Sequence, residues 1–249
     1  MSRLLLSLPF RSSSLRWRSI ADRLVFVMLG VLLMAGAAAA QDRRQNQAGK
    51  FDFYVLSLSW APTFCDAAFE RAPDQAPPAE CGQRAVPFVV HGLWPQYDVG
   101  FPEFCQQPAP RLDRNIVASM LDLMPAAGLI FSEWDKHGTC SGLSPRAYFE
   151  TVRKARALIK IPDDYIEPSQ ETTVPPAAIA EAFVKANPGL TRASVAVSCD
   201  AKRLTEVRIC VGKDLQFHAC PDVEQHSCRR DQIVMPPLHG EHKAAAVEH

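Results

Sequence analysis

Two stretches of this 249-residue chain concentrate reactive side chains: Val90-His91-Gly92-Leu93-Trp94-Pro95-Gln96 and Ser132-Glu133-Trp134-Asp135-Lys136-His137-Gly138-Thr139-Cys140. Together they hold two histidines, His91 and His137, the carboxylate of Glu133 and the ammonium of Lys136. Cleavage of a phosphodiester at a neighbouring 2′-hydroxyl needs a base to take the hydroxyl proton, an acid to protonate the departing 5′-oxygen, and positive charge to hold the phosphorane. Two imidazoles and an ammonium supply all three. Free imidazole titrates near pH ~6.5, so one neutral and one charged histidine coexist near neutrality and the rate follows a bell-shaped pH profile.

Placing these groups is the work of a few elements. Phe53 to Trp60 is apolar on both faces, with Phe53, Val55 and Ser57 on one side and Tyr54, Leu56 and Leu58 on the other, which predicts a buried strand stopped by Pro62. Pro87 to His91 reads as a second core strand that delivers His91 at its end. Ile116, Met120 and Leu123 recur at helical spacing, predicting a helix over 115–123. A second, short helix over 130–137 puts Glu133, Lys136 and His137 at i, i+3 and i+4 on one face, with Trp134 turned to the core.

Ser144-Pro145 supplies a cap and a first-turn proline for a long helix with a buried stripe of Tyr148, Val152, Ala155 and Ile159. Pro175-Pro176 opens another helix through Ile179 and Phe183. The character then changes to short strands over 194–198, 204–211 and 215–218. The fold class that follows is α+β: a single domain over 51–235 with a central antiparallel sheet of N- and C-terminal strands, flanked by helices. The polar stretches 41–50 and 236–249 read as flexible tails, and Ala72 to Gln83, rich in Pro and Ala, as a loop.

The first 40 residues read as a leader. Five arginines precede an uncharged run from Leu24, which ends in Ala37-Ala38-Ala39-Ala40 before Gln41-Asp42, the pattern of a cleaved signal peptide. That segment carries five of the 27 basic and one of the 27 acidic residues, so the remainder is formally −4. Attraction to phosphate must then come from a local cluster rather than from the net field. All eight cysteines lie beyond the leader and no Cys-x-x-Cys pair occurs, which points to disulfides in an oxidising compartment, periplasmic or secreted, rather than to zinc. Eight cysteines allow about 105 pairings, so connectivity does not come from counting.

The His-Gly-Leu-Trp-Pro and Glu-Trp-x-Lys-His-Gly-Thr-Cys stretches, in this order, resemble the two active-site segments of the ribonuclease T2 family. Tyr54-Val55-Leu56-Ser57-Leu58-Ser59-Trp60 and Leu204-Thr205-Glu206-Val207-Arg208-Ile209-Cys210 resemble it too. The resemblance implies a metal-independent endoribonuclease without cofactor, acting on single-stranded RNA as a monomer, with no stable membrane association once the leader is removed. It implies His137 as general base, His91 as general acid, Lys136 as the cation on the phosphate and Glu133 as its companion carboxylate. Trp94 and Gln96 are then substrate contacts. Ser132 is one as well, standing where the family often has a phosphate-binding histidine. The resemblance further implies the pairs Cys105–Cys140, Cys199–Cys228 and Cys210–Cys220, and leaves Cys65 with Cys81. His218, His226, His239, His242 and His249 carry no motif.

Two other classes fit the same residues. Glu133, His137 and His91 would serve as ligands in a metal-dependent phosphodiesterase, which the intervening Lys136 disfavours by charge. A secreted RNA-binding module without turnover would keep the fold but has no need of both imidazoles and the ammonium.

Overall fold

Four strands carry the molecule, and their register explains where the reactive groups end up. The computed structural model describes residues 45–76, 78, 81 and 86–238, all within one compact unit, Arg44–His249. Strand β1 (Phe53–Trp60) pairs antiparallel on one side with β2 (Phe88–Gln96). On its other side it pairs antiparallel with β5 (Leu204–Gly212), and β4 (Val195–Cys199) closes the sheet in the order β2-β1-β5-β4. The earliest strand thus lies beside a late one, as the sequence pattern requires.

The two faces of this sheet differ. Tyr54, Leu56, Leu58 and Trp60 join Val90, Leu93, Val207 and Ile209 in the main core. There they meet Ile130, Trp134, Tyr148, Val152, Ile179 and Phe183 from the helices. On the opposite face Phe53, Val55, Cys210 and Cys220 make a small second core against Trp94 and Val223. Farther along, that same face turns polar: Ser57 stands opposite Gly92 and Arg208, and Ser59 opposite Glu206.

The β1–β2 ladder contains one irregularity. Ser57 pairs with Gly92 and Leu58 with Val90, so His91 is the extra residue of a β-bulge and has no partner across the ladder. A bulge breaks the strict alternation of side chains and re-aims the added one. Here it sets His91 beside Gly92 on the polar face.

The helices follow from their end signals. Helix α1 (Ala61–Arg71) starts directly after β1 with Pro62 in its first turn. The proline expected only to stop the strand therefore also opens a helix, since its fixed φ and missing N–H suit that position. Helix α2 (Arg114–Ala118) is capped by Asp113 and covers only the first half of the helix expected over 115–123. Helix α3 (Ala127–Lys136) begins three residues before the expected start and ends at His137, its C-cap.

Helix α4 (Pro145–Ala157) has the expected Ser144 cap and buries Tyr148, Phe149, Val152 and Ala155. Helix α5 (Pro176–Ala186) buries Ile179, Ala180 and Phe183. Strand β2 runs five residues past its expected end, through Gln96, so His91 lies inside a strand. The strand expected over 215–218 is a tight turn with Leu215 at φ 64° and one bridge, Val211 to Phe217. A second sheet of β3 (Thr172–Val174) and β6 (Ile233–Met235), and helix α6 (Pro221–Gln225), carry no signal long enough to read.

Four disulfides join Cys65–Cys81, Cys105–Cys140, Cys199–Cys228 and Cys210–Cys220, the set the resemblance implies. Described residues within both stretches expected as tails hydrogen-bond to the domain. Asn46 N–H donates to Tyr97 Oη at 3.1 Å and Gly49 N–H to the Cys140 carbonyl at 2.9 Å. Trp60 Nε1 donates to the Pro236 carbonyl at 3.1 Å. The expected leader 1–40, residues 41–44 and residues 239–249 lie outside the described residues. Among the described residues no helix is long and apolar enough to cross a membrane.

Candidate active site

A cleft of about 540 Å³ opens on the polar face of the sheet, lined by His91, Trp94 and Gln96 of β2, Glu133, Lys136 and His137 of α3, and Arg208 of β5. The two sequence stretches thus meet at one place. Two tethers hold them: Tyr148 Oη of α4 donates to the Leu93 carbonyl at 2.9 Å, and the Cys105–Cys140 bridge pins the chain just after His137.

His91 is held by carboxylates. Its Nδ1 lies 2.5 Å from Glu206 Oε1, and its Nε2 lies 3.6 Å from Glu133 Oε1. Glu206 is itself clamped: its Oε2 accepts from Arg208 Nε at 2.9 Å and Nη2 at 2.7 Å. Burial alone would lower the proton affinity of His91, but the hydrogen bond and charge of Glu206, with the charge of Glu133, outweigh it and raise its pKa. For Glu206, burial favours the neutral acid, and the His91 and Arg208 contacts overcome it to hold the carboxyl down at about 2.

His137 has the opposite surroundings. Its ring lies 5.3 Å from the Trp94 ring and 6.2 Å from Phe101, and its buried Nδ1 has no hydrogen-bond partner in the protein. Burial first, then the charges of Lys136 and His91, push its pKa down to about 3. The cleft therefore pairs an imidazole whose surroundings favour its charged form with one whose surroundings favour its neutral form.

Glu133 and Trp94 link the two. Trp94 Nε1 donates to Glu133 Oε2 at 2.6 Å, and burial raises the Glu133 pKa despite the opposing His91, Trp94 and Lys136. Gly92 leaves the space for that bond, because a Cβ there would collide with both Glu133 Oε2 and Trp94 Nε1. Lys136 is half-exposed, with Nζ 3.7 Å from Glu103 Oε2 and 5.9 Å from the Phe101 ring centre. Gln96 is buried in the cleft wall, its Nε2 donating to the Pro95 carbonyl at 3.1 Å.

Ser132 is the expected site residue that the structure does not bring in. It is exposed, and its hydroxyl donates to the Leu129 carbonyl at 3.0 Å, one turn back along its own helix. Conversely Glu206, Arg208, Phe101 and His226 reach the site and had no assigned role. For the first two a signal existed: Glu206 and Arg208 are spaced i, i+2 in an otherwise apolar strand, which puts both on one face. His226 lines the cleft with its Nδ1 2.6 Å from the Asp222 carbonyl. Among the described residues no group of three or more His, Cys, Asp or Glu is arranged to hold a metal ion.

Comparison with known proteins gives the same picture. A ribonuclease of Aeromonas hydrophila is 38% identical over 132 residues, covering 53% of this chain and 57% of that protein. A probable ribonuclease of Haemophilus influenzae is 37% identical over 128 residues, covering 48% of this chain and 47% of that protein. The chain thus spans about half the length of these two relatives. Ribonuclease I of Escherichia coli strain K12 is 28% identical over 238 residues, 80% of this chain and 87% of that protein.

In fold, the chain resembles RNase NT, solved in complex with 5′-AMP, at a TM-score of 0.59 and 23% identity over 76% of this chain and 99% of that one. It also resembles trichomaglin, described as an S-like ribonuclease, at 0.61 and 20% identity over 76% and 100%. Residues 51–220 match the model of the Ribonuclease T2 family, and the chain belongs to that family.

Proposed function

We propose that this protein is an exported, metal-independent endoribonuclease that cleaves single-stranded RNA by transphosphorylation. The observation that carries this reading is the meeting, in one cleft, of a histidine bonded to a buried carboxylate with a histidine set against an aromatic ring and beside a lysine. Neutral His137 takes the 2′-hydroxyl proton, and the 2′-oxygen attacks phosphorus. Charged His91 gives its Nε2 proton to the 5′-oxygen as the P–O5′ bond breaks, leaving a 2′,3′-cyclic phosphate and a 5′-hydroxyl. Water opens the cyclic ester with the two roles reversed.

An RNA phosphate beside Lys136 offsets the ammonium charge and raises the His137 pKa towards the working range. Lys136 stabilises the phosphoryl oxygens of the crowded intermediate. Glu133, whose burial favours the protonated acid, shares a proton with one of those oxygens while Trp94 holds its other edge. The Trp94 face and Gln96 contact the base. The leader and four disulfides support export to the periplasm or medium, and the protein acts as a monomer.

The test is a product assay on the oxidised protein with an RNA oligonucleotide in excess EDTA, beside a substrate carrying 2′-deoxyribose at the scissile position. Cleavage of the RNA alone, ending in cyclic phosphate, is expected. Loss of activity in EDTA, or cutting of the deoxy substrate, overturns the two-histidine reading.

A further inference from the structure

We propose that Glu206 is a positioning residue for this reaction: with Arg208 holding it in turn, its carboxylate fixes His91 in the tautomer that presents Nε2 to the cleft. The proposal rests on the reading of His91 as general acid.

Three observations carry it. Glu206 is 8% exposed, and a carboxylate so far from water persists only when its oxygens are occupied. They are divided between two jobs, with Oε2 in the Arg208 fork and Oε1 on His91 Nδ1. The Arg208 pair alone would neutralise the carboxylate, so the bond to a cleft-lining imidazole needs another explanation. His91 is also the bulge residue of β2 and lacks a cross-strand partner in β1 to fix its side chain. Glu206, two strands away, supplies that constraint.

The chemistry requires it. Charged His91 carries protons on both nitrogens. When the Nε2 proton leaves with the 5′-oxygen, the neutral ring keeps Nδ1–H on Glu206, which stays ionised throughout. The charges that act on His91 are Glu206 and Arg208 from β5 and Glu133 from α3, with His137 beyond the α3 terminus. Arg208 opposes the two carboxylates, so the two members of the clamp act on the His91 proton in opposite directions.

The experiment compares wild type with Glu206→Gln on two substrates. One is RNA, whose 5′-oxygen leaves poorly without an acid. The other is a nucleoside 3′-(4-nitrophenyl phosphate), whose phenolate leaves unaided. Glu206→Gln is expected to lose roughly 10- to 100-fold in kcat on RNA, part of what a general acid supplies, and less than about threefold on the aryl ester. The alkaline limb of the RNA pH profile should move to lower pH in Glu206→Gln and to higher pH in Arg208→Met. Equal losses on both substrates, or limbs that stay in place, overturn the proposal.

Wild type cleaving neither substrate would instead sink the ribonuclease reading itself. Should the variants fail to fold, nitrogen NMR of the wild-type histidines decides. A neutral His91 protonated at Nδ1, with a pKa above free imidazole, is expected, and the Nε2–H tautomer overturns the assignment.

Discussion

His91 and His137 sit on the same cleft but are built from different materials. His91 rises from a bulge in a sheet, between two carboxylates. His137 caps a helix among aromatic rings, with one buried nitrogen unpaired. The same side chain is thereby pushed in opposite directions, and in the proposed reaction the division between acid and base follows from surroundings rather than from residue type.

The largest test of that comparison removes each ring in turn. His91→Ala and His137→Ala should each lower kcat/KM on RNA by about 10²- to 10⁴-fold. Only the His91 loss should shrink on a substrate with a nitrophenolate leaving group, and equal recovery of both variants in steady-state assays would abolish the distinction. Gly92→Ala attacks the link between the two halves. The added methyl must displace the Trp94–Glu133 bond, so activity should fall by more than about tenfold and stability by about 1–3 kcal/mol, read by denaturant melts.

A smaller effect sharpens the contrast through pH. His137 binds its proton near pH 3 when folded but near ~6.5 when unfolded, so the unfolded state holds more protons between those values. Its contribution to stability is therefore complete above that window and lost as pH falls through it, by up to about 1.4 kcal/mol per unit. For His91 the sign reverses. Its raised folded pKa gives stability that is complete below the unfolded value and lost as pH rises through the folded one. Melts of His137→Gln should accordingly flatten the acid side of the stability curve, and those of His91→Gln the alkaline side. The smallest effect is expected at Ser132, where the exposed hydroxyl serves only its own helix. Ser132→Ala should change kcat/KM by less than about twofold and stability by less than about 0.5 kcal/mol.

Much of this was legible in the sequence because the signals are local. The apolar run of β1, the Ser144-Pro145 start of α4 and the i, i+3, i+4 spacing of Glu133, Lys136 and His137 each act within one or two turns of chain. What escaped was non-local or short. The contact of Glu206 with His91 exists only because β5 lies two strands from the bulge, on the far side of β1, and it spans 115 residues of chain. Ser132 failed for the converse reason, since adjacency to Glu133 in sequence means a different face on a helix. Strands β3 and β6, three residues each, exist only because they find one another.

The bulge at His91 carries one more implication, for how this protein would respond to selection. One residue too many interrupts the ladder between the first two strands. Deleting it would restore an unbroken pairing and a more regular sheet, and would remove the proposed general acid. A screen that rewarded thermal robustness alone would favour that repair, so resilience and turnover pull against each other at a single backbone position.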